Sequence, residues 1–214
     1  MSPKKSKLPF LSLPSELRNL IYQYCLIDEN DLRIEARTKA YRRIATIEDT
    51  SGLVPEILLA NRQINAEASA VLYGQPLTFI NTSAQYLFLC QIGPVHRGLL
   101  QDITIERWCE GRALKALNHP AFTMLADAHG LRNVNVDGLA CRYRGNTARS
   151  FYMRTHVWLH AFGAARGKND AVLDILYDGE PVDNGKGMAD WYYKELKERR
   201  EMLYSHLRKL LAAH

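Results

Sequence analysis

The sequence predicts an α/β protein: two helices at the N-terminal end, a small parallel sheet of about four strands with crossover helices, and a long C-terminal helix. Three observations carry that expectation. Residues 10–26 (FLSLPSELRNLIYQYCL) and 57–74 (ILLANRQINAEASAVLYG) are apolar at three- and four-residue steps and are punctuated by proline and glycine. Beyond residue 76, short runs rich in β-branched and aromatic residues alternate with helical stretches, the pattern of right-handed βαβ units. Residues 188–213 keep one apolar face over about six turns.

In the first stretch, Pro14 suits a helix's first turn, where its missing N–H is not needed. Glu16 follows near the positive end of the helix dipole. Leu13, Leu17, Leu20, Ile21, Tyr24 and Cys25 form one apolar stripe, and Arg18, Asn19 and Gln23 fall on the other face. So short a helix is marginal alone in water, so the stripe must pack on its own domain, on a partner, or on both. In the second stretch Pro55 starts the helix. Ile57, Ile64, Ala68, Val71 and Leu72 point inward, Arg62, Gln63 and Glu67 point outward, and Gly74 ends it as a left-handed cap residue does.

Read together, the two stretches resemble the F-box-like domain of fungal proteins. That family shares a Leu-Pro-x-Glu-Leu-Arg-x-x-Ile-Tyr opening and a later Asn-Arg-Gln-Ile-x-x-Glu-Ala segment ending in Leu-Tyr-Gly. The likeness covers about a third of the chain. It implies a non-enzymatic adaptor or substrate-recognition protein, with a Skp-class linker of a cullin ubiquitin ligase as partner. Carried over position by position, the linker contacts are Leu13, Pro14, Leu17 and Ile21.

The chain then divides into a basic tail (1–9), a head (10–76) with a charged insert at 28–54, and a body (77–214). The tail holds Lys4, Lys5 and Lys7, a solvated run or a weak nuclear-import patch. The insert carries charges of both signs, and its apolar residues suit neither helix nor convincing strand. A partly mobile insert is expected there, with room for a short hairpin from residues 32–34 and 44–46. In the body, strands are expected at 77–80, 99–105, 131–136 and 172–177. Helices are expected at 83–90, 112–128 (bent at Pro120), 151–165 and 188–213. Residues 99–105 and 131–136 share an L-x-x-(I/V)-x-(I/V) form and resemble a degenerate leucine-rich repeat. Such a body offers its strand face, with Thr104, Asn133 and Asn135, to a partner.

Bulk properties narrow the function classes. The 214 residues carry a formal net charge of +5 and four cysteines with no C-x-x-C spacing. Those point to a reducing intracellular compartment, cytoplasmic or nuclear, and allow an acidic partner. No run is apolar enough to span a membrane, and no secretory signal opens the chain. No phosphate-binding glycine loop, nucleophile elbow or dinucleotide fingerprint occurs, so neither enzyme chemistry nor a cofactor is expected. His156 and His160 share one helix face but lack the glutamate and third ligand of a zinc site, and read as structural histidines. One stretch leaves a second function open. Residues 138–169 contain no acid but hold Arg142, Arg144, Arg149, Arg154, Arg166 and Lys168, interleaved with Tyr143, Phe151, Tyr152 and Trp158. Arginines among aromatics suit a nucleic acid or an acidic protein, or form a solvated rim over core aromatics.

Overall fold

A computed structural model describes residues 9–28, 32–39, 42–47, 52–108, 112–140, 147–178 and 190–213. Along the chain run α1 (Ser15–Leu26), β1 (Leu32–Lys39), β2 (Arg42–Ile47), α2 (Arg62–Gly74), β3 (Leu77–Asn81), α3 (Thr82–Arg97), β4 (Asp102–Arg107), α4 (Arg112–Met124), β5 (Asn133–Val136), α5 (Thr147–Arg166), β6 (Leu176–Tyr177) and α6 (Asp190–Ala212). The strands form one mixed sheet in the order β2-β1-β3-β4-β5-β6. Only β1 and β2 are antiparallel; the remaining neighbours run parallel.

Local chemistry explains most boundaries. The first stretch is not one helix. Phe10–Ser12 is a 3-10 turn, and Leu13 is extended at φ −69°, ψ 146°. A residue before proline is pushed out of the helical region, so α1 starts only at Ser15. The second stretch likewise splits into a 3-10 turn (Pro55–Leu59) and α2. Between them Asn61 is extended, and its side chain accepts the Ile64 N–H. Asn81 caps α3 in the same way through the Ala84 N–H. Gly93, at φ 72°, bends α3 ahead of Pro94.

The charged insert belongs to the sheet. Leu32, Ile34 and Ala36 alternate with Arg33, Glu35 and Arg37, and β1 pairs with β2 over six residues, from Ile34 opposite Ile47 to Lys39 opposite Arg42. β1 also pairs in parallel with β3, Leu32 opposite Leu77, so the sheet has six strands rather than about four. The four strands expected in the body are all present; β3 runs one residue longer than expected and the other three are shorter. The last shrinks to two residues, because Ala171–Asp174 forms a 3-10 turn.

From β3 to β6 the chain advances one strand at a time in one direction. Crossovers of one hand then place every connecting helix on the same face. The strand residues alternate accordingly: Leu77, Phe79, Ile103, Ile105, Val134 and Val136 are buried under the helices. Thr104, Glu106, Asn133, Asn135 and Tyr177 lie on the opposite, open face. There Arg33 and Glu106 form an ion pair of 2.7 Å that reaches across the middle strand β3.

The body core is continuous from β1 to α6, where Leu203, Leu207 and Leu211 are fully buried. A smaller cluster holds the head together: Tyr22 and Leu26 of α1 against Ile64 and Ala68 of α2. Leu72 packs against both. The β6 side of the sheet is closed by α6. Tyr204 donates its hydroxyl proton to the Leu176 carbonyl at 2.6 Å, and Arg200 donates to the Asp178 carbonyl at 2.6 Å.

Candidate functional site

The helix pair of the head is organised by a polar contact on what hydropathy assigns as the outer face. Glu67 of α2 receives two hydrogen bonds from the Arg18 guanidinium, at 2.8 and 2.9 Å. It also accepts from Tyr22 at 2.8 Å and Gln63 at 2.9 Å. Arg18 donates a further bond to the Leu13 carbonyl at 2.6 Å, which fixes the residue ahead of Pro14. The paired arginine, followed by the Gln63 and Tyr22 hydrogen bonds, holds the Glu67 carboxyl down from 4.5 to about 2. Burial, then the neighbouring Glu67 carboxylate, raises the Tyr22 hydroxyl.

This contact turns α1. Arg18, Tyr22 and Leu26, spaced at four residues, face α2. The expected apolar stripe is displaced outward: Leu17 is 49% exposed, Leu20 47% and Tyr24 80%. Ile27, one turn on, is exposed as well, so one apolar row runs the length of the helix on its solvent side. The four partner-contact positions read from the sequence come together at the start of this row. Pro14 and Leu17 are exposed, and Leu13 and Ile21 are half-buried beside them. Sequence reasoning did not give Arg18 and Glu67 their role. The signal was present, because both lie inside the two motifs that carry the resemblance.

Of the six basic side chains of the window, Arg149, Arg154, Arg166 and Lys168 lie among the described residues. Arg142 and Arg144 lie outside them, as does Tyr143. Arg149 is exposed on α5. Arg154 turns back onto the Ser150 carbonyl at 3.0 Å. Arg166 donates to the Leu131 carbonyl and lies 4.9 Å from the centre of the Phe162 ring. Lys168 is paired with Asp174 at 2.9 Å and Asp170 at 3.6 Å, the acids just beyond the window. The interleaved Phe151, Tyr152 and Trp158 are buried in the core, so these three rings offer no base a stacking platform.

The histidine pair of α5 is held by other rings. His156 stacks on His119 at 5.4 Å, and His160 Nε2 lies 2.9 Å from the Tyr152 hydroxyl. Among the described residues no group of three or more histidines, cysteines or acids is placed to hold a metal. No helix among them is long and apolar enough to cross a membrane.

At the β6 side of the open face, a cleft of about 550 Å³ is lined by Asn133, Asn135, Tyr177, Asp178, Arg200 and Tyr204. Asp178 is 4% exposed, and its Oδ1 has no hydrogen-bond partner among the described residues. Burial pushes its carboxyl above the ordinary 3.8, against the pull of the Ala140 and Leu139 N–H groups and of Arg200. Thr104, Asn133 and Asn135, the strand-face residues expected to meet a partner, do share the open side of β4 and β5.

No family model matches this chain, and no curated protein or solved structure shows significant similarity to it.

Proposed function

We propose that the protein is a non-enzymatic protein–protein interaction module, an F-box-like adaptor whose head docks a Skp-class linker and whose body receives a target. The observation that carries this reading is the exposed apolar row of α1, Leu17, Leu20, Tyr24 and Ile27, beside an exposed Pro14. A helix face of that kind offers anchors at three- and four-residue steps to a partner's apolar groove. It shares Leu17, next to the exposed Pro14, with the positions that the F-box resemblance assigns to the linker, while Leu13 and Ile21 are half-buried. The head is braced without that row, because Arg18, Tyr22 and Glu67 carry the α1–α2 contact from the other side. The body supports the second half of the reading with a leucine-rich-repeat-like arrangement: successive strands, helices on one side, and an open strand face with Thr104, Asn133 and Asn135.

The test is direct binding of the purified full chain to a purified Skp-class linker, by calorimetry. The native protein binds at micromolar concentration or tighter. Leu17→Asp with Leu20→Asp abolishes binding, and Pro14→Ala weakens it, while circular dichroism and melting temperature stay near native. A folded native chain that ignores the linker ends the ligase reading.

A further inference from the structure

A second site stands apart from the adaptor surface and does not depend on it. Between the β1–β2 hairpin and the helices α2 and α3 lies a cleft of about 720 Å³, within the ~300–1,000 Å³ range of small-molecule pockets. Its origin is visible in the chain. Ala36 pairs with Ala45 at the middle of the hairpin, and two methyl groups leave the hairpin short of α3. On the opposite wall α3 bends at Gly93, between Ile92 and His96. Apolar side chains from three elements form the walls: Leu32 and Ile34 of β1, Ala45 and Ile47 of β2, Phe88 and Ile92 of α3.

One corner of the cleft is polar, where α2 meets α3. The rings of Tyr73 and His96 both line it, with centres 5.1 Å apart. His96 Nδ1 lies 2.8 Å from the Ile92 carbonyl. A carbonyl only accepts, so Nδ1 carries the proton, and in the neutral ring Nε2 is an acceptor. Burial raises the Tyr73 hydroxyl, which therefore keeps its proton and stays a donor. Neither Nε2 nor that hydroxyl makes a hydrogen bond among the described residues. The corner thus offers a donor and an acceptor on adjoining rings, and each class of head group meets it differently. A carboxylate cannot donate to Nε2, and an ammonium cannot accept from Tyr73. Either ion would also lose its hydration between apolar walls. An ether accepts without donating. A hydroxyl does both.

We propose that this cleft binds an uncharged apolar alcohol, with its hydroxyl accepting from Tyr73 and donating to His96 Nε2 and its hydrocarbon body between the hairpin and α3. Decanol, its isomer methyl nonyl ether and decanoate separate the classes. Each is titrated by calorimetry against the full chain, below its solubility or micelle limit. Decanol binds saturably at one site. The ether, which accepts from Tyr73 but has no proton for Nε2, binds about fivefold more weakly, the scale of one neutral hydrogen bond. Decanoate binds more weakly still. His96→Asn keeps an N–H for the Ile92 carbonyl and removes the acceptor, so it weakens decanol about fivefold and leaves the ether within about twofold. Ala45→Trp fills the cleft and abolishes decanol binding, with the far-ultraviolet dichroism of the native protein. Should that variant fail to fold, Ala45→Leu narrows the same cleft and weakens decanol. The proposal is overturned if the native chain does not bind decanol, or if decanoate or the ether binds as tightly. It is also overturned if His96→Asn leaves decanol unchanged, or if binding persists unchanged in a folded cleft-filling variant, as it would for alcohol held on the apolar row of α1. None of these outcomes bears on linker binding by α1, which is measured separately.

Discussion

The two amphipathic helices at the ends of the chain make opposite choices. α6 buries its leucines: Leu203, Leu207 and Leu211 are fully enclosed, and Arg199 and Glu195 stay outside as an i,i+4 pair. α1 does the reverse. It encloses an arginine, whose side chain is 12% exposed, with Tyr22 against Glu67, and leaves Leu17 and Leu20 half in water. Apolar periodicity therefore locates a face that needs cover without saying what covers it. In α6 the sheet's core does. In α1 a bidentate ion pair has taken the inner side, and the apolar row faces outward.

The largest effect tests the α6 side of that contrast. Leu207→Ala removes a fully buried side chain from the main core, and a cost of about 2–4 kcal/mol is expected in denaturant unfolding. An equivalent truncation on α1, Leu17→Ala, is expected to change stability by no more than about 0.5 kcal/mol, because its surroundings are mostly solvent. Equal costs at the two positions would erase the comparison.

The next test addresses the ion pair. The Glu67 carboxyl is depressed in the folded protein, from 4.5 to about 2. Its contribution to stability is therefore complete above 4.5 and is lost as the pH falls from 4.5 toward 2. Glu67→Gln is expected to lower the melting temperature at neutral pH and to flatten the acid limb of the stability profile in that window. Thermal melts of both proteins between pH 2 and pH 7 show this (the window follows from the shift itself). A variant with the native acid limb would mean that Arg18 and Glu67 do not hold the helices together.

A smaller effect of opposite sign belongs to the β6 end. The Asp178 carboxyl is raised by burial, so the folded protein holds its proton more tightly than the unfolded chain does. That linkage costs stability progressively as the pH rises above 3.8. Asp178→Asn keeps an oxygen for the Ala140 and Leu139 N–H groups and removes the charge. A modest rise in melting temperature is expected at neutral pH, shrinking to nothing in acid. A fall at neutral pH would show that the pull of Arg200 on ionised Asp178 outweighs the cost of burial.

How far the sequence revealed this can be judged residue by residue. α6 and β3 to β5 were legible, because leucine at helical spacing and β-branched residues at strand spacing report burial directly. β1 and β2 were half legible, as a short hairpin from residues 32–34 and 44–46 beside a mobile insert. Arg33, Glu35 and Arg37 alternate with Leu32, Ile34 and Ala36, and the charge density masks a period of two. The face of α1 was misjudged for a deeper reason. Arg18 and Glu67 stand 49 residues apart in sequence, and hydropathy assigns each to solvent until the other is placed beside it. The partner-contact positions Leu13, Pro14, Leu17 and Ile21 came from the motif alone. A cleft between the β1–β2 hairpin and α3 could not be read at all, since β1, β2, α2 and α3 each supply part of it.

The bonds that α6 makes to β6 bear on the behaviour of the molecule in a crowd. A short outer strand presents carbonyls to any extended chain that drifts past, and such edges seed the growth of sheets between molecules. Tyr204 and Arg200 occupy the Leu176 and Asp178 carbonyls. The last helix is therefore a terminator as well as a piece of core. A chain cut short of residue 200 loses both hydroxyl and guanidinium caps together with Leu203 and Leu207, so misfolding and self-association would begin at the same place.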